Sequence, residues 1–574
     1  MKVKFNKFPS QVADVLASNN SAKMALSRLE NGTKDTERTW FYEDLDADAV
    51  IAPVVSKLKG MSRWPKISSW DLSKLDKFQA QGRSAPFEKR LPLFEEYFEH
   101  LKLPEMLSGK NALWKKAKAA AVDILGFNQS GSPLSITEVV ERGISAQKYG
   151  TSSGYPLFLK RKNPTAIAEA VRAAAGNKAI LDRYPFMVGS RAQMGKVGEK
   201  ARFIFMAPMA VNICGQRYAE PVQEYLTQLA ERKLRTKGGK NQSGKQMRDL
   251  GYFNRENRLF FFTPWLGWDK VQEVVSFGWY DSNLRFGADY TKMDQHFNIH
   301  HAMEVFDVIK YFFERKYWEE LKLVIQYPFT APIITSKGYI DQEHALLSGS
   351  EWTNLIETVW NFVFQIFIML SDKNQSSRII PMGIGDDQLW LIAFNQTAPA
   401  STSEQELERE RFSFLDHVIK AFDMAGLPGN PDKQEGVEDP EVSGFLQRYF
   451  MNGYNGPDNN TPAAGVYSLI RNVTSQVYPE RYHNDPEYDW KAFAIRVIMI
   501  AENCCKHPLF EWYIKDYVAK ANPNILRFVR LTDSEIDAKW NAVKNMAGFR
   551  PNYNQEKQDK PLTQFETFKL LRTL

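Results

Sequence analysis

The chain has 574 residues, 43% of them hydrophobic, with 38 Phe and 14 Trp. That length exceeds what one hydrophobic core organises, so several subdomains are expected, and the apolar and aromatic content excludes a disordered chain. The net charge of +6 permits a nucleic-acid partner without requiring one.

Residues 1–100 are mixed, with polar loops at SNNSAK and ENGTKDTERT. The opening stretch MKVKFNKFPSQVADVLASNN lacks the apolar core of a signal peptide. Residues 101–280 alternate helical patterns with basic loops. One of them, RYPFMVGSRAQMGKVGEKARFIFMAP, holds Arg183, Arg191, Lys196, Lys200 and Arg202 against a single acid, Glu199. Its glycines and the adjoining FIFM strand describe a basic loop anchored to a scaffold, which suits a triphosphate channel.

Residues 281–450 are more orderly. LRFGADY predicts a strand ending at Asp289, HAMEVFDVIKYFFERKY a helix, and APIITSKGYI a strand and turn. A long helix is expected from Glu351 to Leu370. Its apolar run is interrupted by Glu357, Asn361 and Gln365, so it reads as a buried helix and not a membrane span. Ile379 to Phe394 predicts a hairpin, NQTAPASTSEQE a surface loop, and ERERFSFLDHVIKAFDMAGL a helix ended by Gly426 and Pro428. The order strand, helix, hairpin, helix, strand is that of an α+β fold built on a βαββαβ antiparallel sheet with helices on one face. From about residue 451 the chain reads as mostly helical. Thr532 and Glu535 have capping-box spacing, and the tail turns basic and amphipathic.

Cys214, Cys504 and Cys505 make neither a disulfide framework nor a zinc pattern, and a reducing compartment is expected. The eight histidines form no ligand constellation, and His300 and His301 read as helix surface. The protein is expected to be soluble and intracellular.

The chemistry sits in the acids. IIPMGIGDDQLWLIAF places Asp386 and Asp387 at the turn of an otherwise apolar hairpin. Gly-Asp is ordinary turn chemistry, and a turn tip in water carries two charges at little cost. GADYTKMDQHF adds Asp289 at a strand end and Asp294 after a turn. If adjacent strands bring Asp289 and Asp386 together, the carboxylates repel unless a proton or a cation intervenes. Hard oxygen ligands that leave room for water and phosphate suit magnesium, and two such ions suit phosphoryl transfer.

These segments resemble, in order, the motifs of viral RNA-dependent RNA polymerases. TSSGYP (Thr151 to Pro156) resembles the motif that admits the template, and GEKARFIF the basic finger motif, with Lys200 and Arg202 at the matching positions. DYTKMD resembles the first palm motif, SGSEWTNLIETVWN (Ser348 to Asn361) the second and GDD the third. GLPGNPDKQ puts Lys433 at the position of the lysine that protonates leaving pyrophosphate, and GFLQRYF resembles the primer-grip turn. The resemblance covers about residues 150 to 450. Where many positive-strand polymerases carry an Asn four residues after Thr353, this chain has Glu357. An acid there is more like the polymerases of small double-stranded RNA viruses, the picobirnavirus and partitivirus group, with the picobirnaviruses favoured.

The resemblance implies a right-handed fold of fingers, palm and thumb. Residues 1–100 would be an extension bridging fingers and thumb, 101–280 the fingers with 295–345 returning to fingers and palm, 281–450 the palm core, and 451–574 the thumb and tail. It implies template-directed RNA synthesis with two Mg2+ ions, Mn2+ being a substitute. Catalytic residues would be Asp289, Asp386, Asp387 and Lys433, the first three holding metal. Lys196, Lys200, Arg202, Asp294, Ser348, Gly349, Thr353 and Asn361 would bind the nucleotide. Thr151, Ser152, Gly154, Tyr155, Leu446 and Arg448 would guide template and primer. RNA template and product, nucleoside triphosphates and a viral capsid protein are the implied partners, with no membrane. The implied location is host cytoplasm and virion interior. No helicase, protease or methyltransferase motif is seen, which fits a polymerase encoded as a separate protein. Two other readings stay open: a reverse transcriptase-like polymerase, whose family usually places another residue where Gly385 stands, and a non-catalytic RNA-binding protein, which would explain the basic loops and aromatics but not clustered acids.

Overall fold

The computed structural model describes residues 3–42, 45–191, 193–237, 255–372, 378–394, 404–430, 439–479, 488–544 and 560–574. The fold is α+β. Its strands are β1 (Phe186–Arg191), β2 (Arg202–Met206), β3 (Leu284–Ala288), β4 (Ile333–Thr335), β5 (Gly338–Ile340), β6 (Arg378–Ile384), β7 (Asp387–Ala393), β8 (Val442–Phe445), β9 (Arg448–Met451) and β10 (Val466–Tyr467).

The acid-bearing sheet runs β3-β7-β6, antiparallel throughout. The expected hairpin is there, with Ile384 opposite Asp387 and a two-residue loop of Gly385 and Asp386. Gly385 has φ +57, the left-handed conformation that glycine reaches without steric cost and that hairpin loops of this length require. The expected final strand of the sheet is a departure. β8 pairs with β9 in a separate sheet ordered β10-β9-β8. Beside the first strand the chain contributes a single bridge between Tyr290 and Gly429, with Asn430 N–H donating to the Asp289 carbonyl. Upstream of that bridge, Arg285 spends its guanidinium on the Trp279 and Pro440 carbonyls.

A second sheet, β2-β1-β4-β5, joins the FIFM strand to the APIITSKGYI hairpin, β1 and β4 running parallel. The segment expected as one helix after Asp294 is two, Ile299–Ile309 and Trp318–Thr330. Between them, the backbone of Tyr311, Phe312 and Glu314 bonds to Gln129 and Gly131 instead of continuing the helical ladder.

The long helix, Thr353–Ser371, is the spine. Every residue from Leu355 to Ile368 is buried, because this helix packs between β6 and the helices Ala112–Leu125 and Ile299–Ile309. Among the described residues it alone is long and apolar enough to cross a membrane, and 83% of its apolar window is inside the protein. Each fully buried aromatic on it contributes about 1.5–3 kcal/mol by leaving water. Its buried polar side chains, Glu357, Thr358, Asn361 and Gln365, run against that economy, and Thr358 and Asn361 mark where the helix meets the hairpin.

Val12, Leu16, Ala22 and Leu29 pack into the main core, whereas Phe41, Val50, Val54 and Leu58 pack with the C-terminal helices. Asp71 ties these parts together: its carboxylate accepts from Leu469 N–H (2.8 Å) and from the Ser468 hydroxyl at the start of the helix Leu469–Val477. Thr532 and Glu535 form the expected capping box.

His301 corrects its surface assignment. It is 0% exposed, its Nε2–H donates to the Ala425 carbonyl (2.8 Å) and its Nδ1 accepts from Asn298 N–H (3.1 Å). Both contacts suit the neutral ring. Burial depresses its pKa to about 4. A depressed folded pKa means the stability His301 contributes is present above its unfolded value, near 6.5, and is lost as pH falls toward 4. Unfolding free energy should fall by on the order of 3 kcal/mol across that window, and His301→Gln should flatten the slope. Urea titrations at several pH values check this; a slope unchanged in the variant would place the acid sensitivity elsewhere.

Candidate active site

Three chain segments converge on the hairpin tip. The first is the end of β3. The ladder pairs Ala288 with Gln388, so its continuation sets Asp289 beside Asp387. The second follows at once: Lys292 takes φ +54 and starts the short helix Met293–His296, which carries Asp294. The third is the Gly385–Asp386 loop. Asp387, at the start of β7, is exposed, while Asp386 is half-buried.

The acids act on one another electrostatically. Burial first, then the charges of Asp294 and Asp289, raise the Asp386 carboxyl to about 6, and Arg202 opposes the shift. Glu357, 5% exposed, is pushed well above the usual carboxylate range by burial and then by Asp294 and Asp386. A hydrogen-bonding interaction with Asp294 pushes Glu357 the same way. Crowded carboxyl groups disfavour joint ionisation, and Glu357 is the one pushed toward its neutral form. Oε2 of Glu357 lies 3.4 Å from where a Cβ on Gly385 would be. Asp289, Asp294, Glu357 and Asp386 thus form one acidic cluster with Arg202 beside it.

Arg202 reaches the cluster because β2 docks on the loop before the long helix. Phe205 N–H donates to the Ser348 carbonyl (3.0 Å). Gly349 has φ +122, and a Cβ there would lie 2.1 Å from the Phe205 carbonyl oxygen, so only glycine allows the contact. Thr353 opens the helix and donates its hydroxyl to the Leu347 carbonyl (3.4 Å). Lys196 and Lys200 lie on the loop leading into β2, Lys200 exposed and Lys196 half-buried. Arg183 instead pairs with Asp341 on the surface.

Other expected site residues lie elsewhere. Asn361 is 0% exposed and sits behind the hairpin, where its Nδ2 donates to the Gly385 carbonyl (2.7 Å) and its Oδ1 accepts from the Tyr290 hydroxyl. Both ends of its amide are thus used within the protein. Tyr155 is buried against Tyr184, ring centroids 5.1 Å apart. Around it, Thr151 is exposed, Ser152 Oγ accepts from Gly154 N–H (3.2 Å), and Gly154, at φ +65, packs on the Ala207 carbonyl. Arg448 is 2% exposed, stacked 4.0 Å over the Trp268 ring and bonded to Asn503, so it braces the β8–β9 hairpin. Leu446 is in that hairpin's turn at φ +49. Lys433 lies outside the described residues.

The sequence reading missed Thr358 and Tyr290. Thr358 Oγ1 accepts from Gly385 N–H (2.8 Å), and Tyr290 supports Asn361 from the other side. The signal was present: residues 358 and 361 share a helix face, and polar side chains on a buried helix need partners.

No family model matches the chain. A potential RNA-dependent RNA polymerase of a human picobirnavirus (strain Human/Thailand/Hy005102) is 22% identical over 528 residues, 88% of this chain and 85% of the relative. Among solved structures, the crystal structure of the RNA-dependent RNA polymerase of a human picobirnavirus superposes with a TM-score of 0.73 at 18% identity, over 99% of this chain and 100% of that one. An insertion-loop deletion mutant of such a polymerase superposes with a TM-score of 0.69 at 17% identity, over 95% and 99%. Over nearly its whole length, therefore, the chain is similar to the RNA-dependent RNA polymerases of picobirnaviruses and has their fold, as the order of its motifs implied.

Proposed function

We propose that the protein is an RNA-directed RNA polymerase that copies a viral RNA genome, in replication and transcription, by nucleotidyl transfer. The observation that carries this reading is the tip of the β6–β7 hairpin, where Asp386 faces Asp289 and Asp294 with Arg202 beside it. An RNA-binding surface gains nothing from crowded acids, which repel a phosphate backbone. A site for phosphoryl transfer does, because such acids hold cations.

The donor set fits magnesium. Asp386 is held in repulsion that Arg202 only partly offsets, and a divalent cation relieves it. Among the described residues, no group of three or more acidic, histidine or cysteine side chains is arranged to hold a metal ion. Magnesium needs only one or two carboxylates, with water and substrate phosphate completing its shell. Asp289 and Asp386 would hold two ions, with Asp387 in support. When bound, such ions neutralise phosphate charge and favour ionisation of the attacking hydroxyl.

The protein's own residues do the rest. Arg202, with Lys200 and Lys196 on the preceding loop, orients the triphosphate and meets the charge that builds on it. Asp294, backed by Glu357, and the Ser348–Thr353 turn lie where the ribose of the bound nucleotide is read; the 2′-hydroxyl is the group that separates RNA from DNA. Lys433 would deliver the proton that leaves with pyrophosphate. Thr151 and Ser152 would guide the template. In this reading residues 281–450 are the palm, 101–280 the fingers and 451–574 the thumb. Residues 1–100 bridge fingers and thumb, which agrees with their division between two hydrophobic clusters.

The test is incorporation of labelled nucleotides by the full chain on a defined RNA template with magnesium. The expected result is a template-dependent RNA product. A product made from deoxyribonucleotides instead would identify a reverse transcriptase, and RNA binding without synthesis would identify a non-catalytic RNA-binding protein.

A further inference from the structure

Asp289 lies just past the end of β3, and Asp386 is in the loop between β6 and β7. The sheet's hydrogen bonds bring the two segments side by side but stop short of both residues. What grips the segments there is a set of side chains on the long helix. Gly385 N–H donates to Thr358 Oγ1 (2.8 Å), and the Gly385 carbonyl accepts from Asn361 Nδ2 (2.7 Å). One residue before Asp386 is thus held at both its backbone polar groups. Thr358 is fixed in turn by donating its hydroxyl to the Asn354 carbonyl (2.6 Å). The remaining end of the Asn361 amide, Oδ1, accepts from the hydroxyl of Tyr290, the residue after Asp289. All three side chains are buried: Thr358 and Asn361 at 0% exposure, Tyr290 at 3%.

We propose that Asn361 is a positioning residue that sets the separation of Asp289 and Asp386, its single amide bridging the neighbour of each. Thr358 completes the grip on the hairpin loop, and Tyr290 transmits the position of the β3 end. The inference rests on the polymerase reading for one thing only, that these two aspartates are the ion-holding pair. Its physical basis is tolerance. Two ions shared between carboxylates on different strands demand placement to within about half an ångström, and that is secured by locked supporting side chains rather than by the ligands themselves. A buried Asn in an apolar helix is costly unless its amide is used, and here both ends of it are used on the two acid-bearing segments.

The experiment measures metal binding directly, without substrate. Mn2+ is titrated into the full chain, free of RNA and nucleotide, and followed by electron paramagnetic resonance. Thermal unfolding is measured alongside. Asn361→Leu removes the amide at similar volume, and Tyr290→Phe removes only the hydroxyl. Asn361→Leu should weaken Mn2+ binding about tenfold, the lower end of the usual effect of removing an outer-shell partner. Tyr290→Phe should weaken it less. The double variant should be no worse than Asn361→Leu, since both act through one amide. Raising Mn2+ should restore part of the synthesis rate. Unchanged Mn2+ affinity in folded variants, or additive losses, would overturn the proposal and leave Asn361 as core packing. Should Asn361→Leu fail to fold, Tyr290→Phe decides by itself. A wild-type chain that binds no Mn2+, or binds it equally well as Asp386→Asn, would instead count against the polymerase reading.

Discussion

Replacing Asp386 by Asn should lower RNA synthesis by about a thousandfold or more, since a lost metal ligand removes several kcal/mol of transition-state stabilisation and each 1.36 kcal/mol is tenfold. The fold should survive. Asp386 sits in a two-residue loop whose backbone is held by Thr358 and Asn361 through Gly385, so the side chain itself is not what holds the hairpin. Without metal the variant should be as stable as the wild type or more so at neutral pH. The sign follows from the carboxyl being raised to about 6. An acid whose folded pKa lies above its unfolded value, near 3.9, costs stability as pH rises through that window, and the amide does not. Synthesis on a defined template and metal-free thermal unfolding at pH 4 and pH 7 measure both parts. Near-wild-type synthesis would sink the assignment of Asp386 as a metal ligand. A variant that unfolds much earlier at both pH values would show that the carboxylate has a structural partner instead.

Asp294→Ala should reduce discrimination between ribo- and deoxyribonucleotides by about a hundredfold, a fraction of what a site built to bond a substrate hydroxyl achieves. Overall nucleotide binding should fall less, because the cations proposed to hold the triphosphate, Lys196, Lys200 and Arg202, lie on another segment. The argument rests on the neighbours of Asp294. Glu357 is buried and is pushed toward its neutral form by that burial and then by Asp294 and Asp386. A protonated Glu357 would donate to Asp294 and leave it able to accept from a sugar hydroxyl. Glu357→Gln keeps a donor of nearly the same shape, so discrimination should stay within about threefold of the wild type, the scale of one modest hydrogen bond. Single-nucleotide incorporation efficiencies for matched ribo- and deoxyribonucleoside triphosphates give the ratio. If Asp294→Ala leaves it unchanged, the sugar is read elsewhere. If Glu357→Gln costs as much as Asp294→Ala, the interaction needs the charge of Glu357 and not its proton.

Most of the local structure around these residues was legible before any coordinates. A glycine flanked by two apolar runs predicts the β6–β7 hairpin whatever surrounds it, since only glycine takes φ +57 cheaply. The interrupted apolar run from Leu355 to Ile368 predicts a buried helix, because such a length of apolar side chains has to be covered. The order of the motifs carried the resemblance, and with it the acids at 289, 294 and 386. Tertiary structure decided the rest. It sent β8 into its own sheet, split the helix after Asp294 where the chain around Gly131 claims its backbone, and buried His301, Tyr155 and Arg448, whose residue types do not by themselves call for burial. It also made Asn361 a brace between Tyr290 and Gly385. The physical reason is range. Turn chemistry and helical periodicity are set by neighbours a few residues apart, whereas the partner of a buried polar group here comes from 24 residues away for Asn361 and Gly385 and from 71 for Asn361 and Tyr290, and only the packed chain settles which distant group will satisfy it.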